Sequence, residues 1–336
     1  MAKNHLDVLI IGGGPIGIAV ALEAQKKELE YLVIEKGTLV NSLYHYPEHM
    51  KFFSTPEKLE LNDIPFITKD LKPGKHEALE YYRKIVVSNQ LKINLFEQVI
   101  SVQRKRASFE VSTSKGNYIT QHIVVATGFY DIPKLLNIPG ESLPKVAHYY
   151  GDPHYYVGQK VAIIGASNSA VDAALEIYRK GGDVSMFVRR KNLGERVKYW
   201  VRPDIENRIA EGSIMAYFNT EVVRITENHI HFKTKTGEEK IDNDFVLALT
   251  GYEPNFEFLS TMGIEIRKEK AGDKSLRKPM YDAHTMETNQ QGIYLAGVVC
   301  GGDETHKWFI ENSRVHAPLI IEAILKKKKR YTKSDN

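Results

Sequence analysis

"DVLIIGGGPIGIAVALEAQKKELEYLVIE", residues 7–35, decides the fold of this chain. It opens on a short apolar run with the length and content of a buried strand. Gly12, Gly14 and Gly17 follow as G-x-G-x-x-G, then come residues at helical spacing, then a second apolar run ending in Glu35. Each glycine has its own task. Gly12 permits a tight turn, Gly14 lets the backbone approach a pyrophosphate, and Gly17 lets the helix lie close on the strand. Free N–H groups at the helix start bind phosphate oxygens, which makes Gly12, Gly14, Pro15, Ile16 and Gly17 candidate cofactor contacts. Glu35 stands where a carboxylate accepts hydrogen bonds from a ribose diol. A turn used only for packing would also satisfy the glycine spacing. Strand, helix and acid together point instead to a dinucleotide.

The plan returns at residues 160–190, "KVAIIGASNSAVDAALEIYRKGGDVSMFVRR". Gly165 opens the turn. Ser167 occupies the place of the second glycine and Ala170 that of the third, both small enough for close approach. Residues 165–170, including Asn168 and Ser169, form the second candidate site. A longer repeat supports the duplication: residues 98–127 match residues 221–250 at a constant offset of 123. Each copy has short alternating strands, a turn containing lysine and glycine, and a buried strand ending in Thr-Gly. Residues 38–66 account for the extra length of the first half. A final buried strand at 292–299 and an amphipathic helix from 304 onward are assigned to the first half. The expected fold is therefore α/β, with two Rossmann-like dinucleotide-binding domains, each a three-layer ββα unit. The domains are placed at 1–128 with 254–336, and at 129–253.

The two units end differently. Arg189 and Arg190 stand at the strand end equivalent to Glu35. A carboxylate favours a free 2′-hydroxyl, whereas guanidinium groups favour a 2′-phosphate. FAD is accordingly assigned to the first unit and NADPH to the second. A charge-assisted hydrogen bond contributes roughly 1.5–3 kcal/mol, so two would favour NADPH over NADH by about a hundredfold to thousands-fold. The alternative is that both arginines simply face solvent.

Composition narrows the setting. A chain of 336 residues accommodates two cores. The longest uncharged apolar run, residues 8–22, is too short and too glycine-rich to span a bilayer. Asp7 precedes it and no cleavage site follows, so the chain is expected to be cytoplasmic with no membrane span. Residues 326–336 carry six positive charges and one negative; with a net charge of +4, the remainder is −1. That near-neutral body argues against a nucleic-acid footprint, and the basic tail reads as a solvated, frayed end, with contact to anionic lipid as the alternative. No metal site is expected. Cys300 is the one cysteine, so no internal disulfide can form.

The stretches "IIGGGPIG", "VVATGFYDIPKLLNIPG", "GASNSAVDAA", "VRR" and "YLAG" resemble the two-dinucleotide flavoprotein reductases, the group of low-molecular-weight thioredoxin reductase. "NSLYHYP", "FFSTPEKLELNDIPF", "ALEYYRKI" and "FIENSRVHAPLI" resemble, more narrowly, the YpdA family described as bacillithiol-disulfide reductases. The resemblance implies FAD on Gly12–Gly17 and Glu35–Lys36, with Val99 facing the adenine and Thr127, Gly128 and Gly297 against the cofactor. It places NADPH on Gly165–Ala170 and Arg189–Arg190. Hydride would pass to flavin N5, and electrons then to a small-molecule disulfide. Relatives of this kind suggest a homo-oligomer.

Two departures stand out. Thioredoxin reductases carry Cys-x-x-Cys before the second glycine-rich strand, and residues 148–156, "HYYGDPHYY", hold no sulfur. YpdA-type reductases carry a cysteine within the first glycine turn, and here the residue is Ile16. Cys300, after the last strand, is a candidate replacement thiol or a small hydrophobe in a turn. Asp303 or Thr305 is expected to cap a helix aimed at the flavin. His148, Tyr149, Tyr150 and Tyr155 are expected as an aromatic cluster between domains. Tyr46, Phe52 and Phe53 either border the isoalloxazine or belong to a core. Other readings stay open at this level: a ferredoxin- or flavodoxin-NADP reductase using a small redox protein, a flavin monooxygenase, or a redox sensor without turnover.

Overall fold

The computed structural model describes residues 5–272 and 274–334. The chain forms two compact units. One contains Met1–His45, Met50–Ile132 and Tyr252–Asn336; the other contains Tyr46–His49 and Pro133–Gly251.

In the first unit the strand His5–Ile11 is buried along almost its whole length, as its unbroken apolar run requires. It pairs in parallel with Tyr31–Ile34 on one side and with Asn117–Val125 on the other. Beyond Tyr31–Ile34 lies Ile93–Asn94. The nine-residue strand Asn117–Val125 serves two partners in turn. Its first half closes an antiparallel meander with Ser108–Thr113 and Val99–Lys105. Its last three residues pair in parallel with Ile293–Leu295. The chain thus leaves the sheet for more than a hundred residues and comes back to complete it.

The second unit repeats the plan with one break. Lys160–Ile164 pairs in parallel with Asp183–Val188 and Phe245–Ala248, and Met215–Phe218 and Val146–Ala147 form the edges. The meander Glu221–Ile225, His229–Lys233 and Glu238–Asp242 is a separate sheet. At the offset of 123, one continuous strand of the first unit corresponds here to two, broken at Asn243–Asp244. The break is held by side chains: Lys145 Nζ donates to Asn243 O and Oδ1, and Asn243 Nδ2 donates to Phe245 O.

Strand alternation sends residues to opposite faces. Val161 and Ile163 join one core with Val171, Ala174 and Ile177 of the Asn168–Arg179 helix. Ala162 and Ile164 join another with Ile230 and Phe232 of the meander. Helix, parallel sheet and meander are the three expected layers.

The C-terminal helix, His316–Ser334, corrects the expectation of a frayed basic tail. Lys328 Nζ lies 2.8 Å from Asp7 Oδ1, and Lys327 pairs with Glu287. No helix among the described residues is long and apolar enough to cross a membrane.

His122, on the Asn117–Val125 strand, is enclosed edge-on to the Tyr294 ring at 6.0 Å. Its buried Nδ1 has no hydrogen-bond partner in the protein. Burial, assisted by the Lys327 charge, pushes its pKa down to about 4. An unfolded histidine protonates near 6.5, so between about 6.5 and 4 the unfolded state binds more protons, and folding stability falls as the pH falls through that window. The expected loss from this residue is about 2 kcal/mol between pH 7 and pH 5. Urea unfolding at the two pH values should show it, and His122→Phe should flatten part of the slope. An unchanged slope in that variant would remove the assignment.

Candidate functional site

The first glycine turn is built by steric necessity. Gly12 has φ +111°, and a Cβ there would fall 2.5 Å from Ala126 O. A Cβ on Gly17 would fall 1.9 Å from Gly12 O, so the Pro15–Lys26 helix can approach its strand only through glycine. Gly14 differs: a Cβ there would meet no protein atom within 4 Å. The space over Gly14 is therefore open. Gly14 is also the helix N-cap, with Pro15 at the first helical position. The next amides, those of Ile16 and Gly17, have no acceptor within the helix.

Glu35 closes the turn from the strand end. Its Oε2 accepts from Gly13 N at 2.7 Å, and its Oε1 accepts from Gly37 N at 2.8 Å. Burial pushes this carboxyl's pKa up, while those two backbone donors favour the charged form. Each oxygen keeps a further lone pair for a ribose hydroxyl. Lys36 pairs with Asp131 at 2.8 Å.

The other first-unit candidates are partly drawn together. A Cβ on Gly128 would lie 4.0 Å from Val298, and one on Gly297 would lie 3.2–3.6 Å from Ile16 side-chain atoms. Gly12–Gly17, Thr127–Gly128 and Gly297 therefore form one cluster of small residues and bare backbone. Val99 is buried and pairs with Thr113. Sequence reading missed its neighbour Glu97. That side chain is buried, accepts from Tyr118 OH at 3.0 Å, Asn94 Nδ2 at 2.9 Å and Thr113 Oγ1, and its backbone N–H donates to Glu35 O at 2.9 Å. An isolated glutamate before a strand gave no signal.

The second turn follows the same geometry. Gly165 has φ +150°, and a Cβ there would meet Leu249 O at 2.6 Å, the counterpart of Ala126 at the 123-residue offset. Ala170 is fully buried against it, whereas Ser167 and Ser169 are exposed. Asn168 clamps the segment after the arginines onto this turn. Its Oδ1 accepts from Lys198 N at 2.8 Å and its Nδ2 donates to Arg196 O at 3.0 Å. Gly194 N adds a 2.7 Å bond to Ala166 O. Arg189 and Arg190 are exposed, and among the described residues neither guanidinium has an acidic partner. Beside them is a cavity of about 610 Å³ lined by Lys191, Asn192, Leu193, Glu195, Arg202 and Phe218.

One expectation needs correction. Asp303 and Thr305 cap no helix: Gly297–Gly301 is a 3-10 turn, and the next helical residues are Ile310–Ser313. Asp303 is instead tied to Arg277, whose Nε and Nη2 donate to it at 3.1 and 3.0 Å. Of the expected aromatic group, Tyr150 lies in the second unit's core beside Tyr156, whereas Tyr149 and Tyr155 are exposed. Tyr150 OH donates to Glu176 at 2.8 Å, and Tyr155 and Tyr156 meet Phe245 edge-on. Phe52 is buried, whereas Phe53 is exposed beneath Lys72.

Cys300 is 3% exposed, and burial pushes its thiol pKa up. That environment disfavours the thiolate on which nucleophilic sulfur chemistry depends.

Residues 9–297 match the family profile of the pyridine nucleotide-disulphide oxidoreductases. This chain belongs to that family. The pyridine nucleotide-disulphide oxidoreductases are flavin- and pyridine-nucleotide-using enzymes, and the chain is an oxidoreductase. It is 41% identical to the bacilliredoxin reductase Bdr of Bacillus subtilis over 95% of this chain and 97% of that one. It is similar to the solved structure of bacillithiol disulfide reductase Bdr (YpdA) from Bacillus cereus, at 42% identity and a TM-score of 0.93, covering 96% and 100% of the two chains. The corresponding Staphylococcus aureus structure gives 39% identity and a TM-score of 0.93, covering 96% and 99%.

Proposed function

We propose that the chain is an NADPH-dependent flavoprotein that reduces a low-molecular-weight disulfide of the bacillithiol type. Residues 1–128 and 254–336 hold FAD, and residues 129–253 hold NADPH. The observation that carries this reading is the contrast between the two strand ends. One presents a buried carboxylate pinned by two backbone amides. The other presents two exposed guanidiniums with no acidic partner among the described residues. The names of the relatives supply the disulfide. Bound FAD would supply a two-electron relay between nicotinamide and disulfide, for the net reaction NADPH + H⁺ + RSSR → NADP⁺ + 2 RSH.

The chain's residues bind and orient. Gly14, Pro15, Ile16 and Gly17 would cradle the FAD pyrophosphate, and Glu35 with Lys36 would hold the ribose end. Val99, Thr127, Gly128 and Gly297 would line the rest. Gly165, Ser167, Asn168, Ser169 and Ala170 would cradle the NADPH pyrophosphate, with Arg189 and Arg190 on its 2′-phosphate.

Ile16 and the buried Cys300 leave the protein no exposed thiol. This favours, as a second reading, a small redox protein as electron acceptor. Anaerobic flavin absorbance separates the two. NADPH should bleach the flavin band, and bacillithiol disulfide should restore it at an unchanged rate after the native protein has been treated with iodoacetamide. Bleaching without restoration by the disulfide would move the assignment to ferredoxin or flavodoxin.

A further inference from the structure

The segment that brings Gly297 to the first glycine turn has a support that neither the sequence reading nor the mechanism uses. His316 opens the last helix and is 1% exposed. Gly297 N–H donates to its Nδ1 at 3.1 Å. An Nδ1 that accepts is unprotonated, so the neutral ring carries its hydrogen on Nε2. That Nε2 is buried with no hydrogen-bond partner in the protein. The Trp308 ring meets the imidazole edge-on at 4.5 Å, and Cys300 Sγ lies 3.9 Å from Nδ1. On its other side, Gly297 faces Ile16 in the first turn of the phosphate-binding helix.

We propose that His316 is a positioning residue for the flavin: its Nδ1 fixes the Gly297 peptide against the glycine turn. The inference rests on the reading that this cluster holds FAD. Two observations carry it. Gly297 has φ +84°, a conformation that needs an outside restraint to be unique, and the side chain that accepts its N–H is this imidazole. A residue kept for packing alone would be aromatic or aliphatic, because a buried unpaired N–H costs roughly 1–3 kcal/mol. Burial also pushes the His316 pKa down to about 4, so the accepting form is the one present near neutrality.

The test uses the full chain and three readouts: FAD dissociation constant, visible spectrum of the bound flavin, and melting temperature without FAD. His316→Asn puts an amide oxygen near the place of the imidazole Nδ1 and so keeps an acceptor for Gly297, whereas His316→Phe keeps only the bulk. The phenylalanine variant is expected to bind FAD roughly tenfold more weakly, as loss of one well-placed hydrogen bond implies, and to shift the flavin band. The asparagine variant should recover at least half of that loss on a logarithmic scale. FAD affinity in the phenylalanine variant within twofold of wild type would overturn the proposal, as would an asparagine variant no better than phenylalanine. Should the phenylalanine variant fail to fold, ¹⁵N-histidine spectra of the wild type decide. An Nε2–H tautomer at neutral pH whose signal moves on adding FAD supports the proposal; an Nδ1–H tautomer, or no movement, ends it. Wild-type protein that takes up no FAD would instead overturn the cofactor reading itself, a result distinct from either variant's failure.

Discussion

Gly17→Ala is expected to cost the protein its flavin and much of its stability. The new Cβ would sit 1.9 Å from Gly12 O and 3.1 Å from Gly12 C, both backbone atoms. Relief by moving Gly12 is opposed by the sheet, because Gly12 N donates to Ile34 O at 2.9 Å and the neighbouring Ala126 N donates to Ile11 O at 2.8 Å. The helix must therefore lift from the strand, breaking the buried contacts of Ile18, Val20 and Ala21. A loss of about 3 kcal/mol or more is expected for such overpacking against backbone. Flavin retention should fall below roughly a tenth of wild type, since the phosphate-binding amides move with the helix. Gly14→Ala is the control. Its Cβ meets no protein atom within 4 Å, so the melting temperature of the flavin-free protein should hold while FAD affinity drops. The flavin-to-protein absorbance ratio and the melting curve measure both. Stoichiometric flavin in Gly17→Ala would place the phosphate elsewhere.

Gly12 and Gly17 show why so much of the fold could be read from the sequence. A turn that only glycine can make leaves its spacing in the chain whatever surrounds it. The two-unit repeat was visible for the same reason: Ala126 and Leu249 hold the same position against Gly12 and Gly165, and 123 residues separate them. What was hidden depends on single side chains meeting across long separations. Asp303 sits where a cap belongs, yet Arg277, twenty-six residues earlier, takes both its oxygens. The break at Asn243 depends on Lys145, ninety-eight residues away. Glu97 and His316 follow no periodicity, because the partners of one are side chains on three strands and that of the other is a backbone amide. The clamp at Asn168 was missed although the residue itself was a candidate: an asparagine after a glycine turn reads as a phosphate contact, and both arms of its amide turn out to hold the chain.

The same clamp bears on what Arg189 and Arg190 do. Asn168 fastens the segment that follows the arginines to the second glycine turn, so the strand end and the turn are held as one piece. The Arg190 carbonyl accepts from Asn219 N at 3.1 Å, which fixes the backbone while both guanidiniums stay exposed. Such a pair is preorganised at its base and free at its tip. The double variant Arg189→Ala/Arg190→Ala is therefore expected to lower kcat/KM for NADPH by about a hundredfold, toward the lower end for two charge-assisted bonds because exposed charges are screened. Activity with NADH, which has no 2′-phosphate, should change by less than about threefold. Flavin content and melting temperature should stay at wild-type values, since no intramolecular ion pair is lost. Raising salt should weaken NADPH use in the wild type and leave the variant nearly indifferent. Equal losses for both nucleotides would mean that the arginines shape the cavity wall rather than read the phosphate. An unchanged preference would return them to solvent and leave Lys191 and Arg202, on the cavity lining, as the next groups to replace.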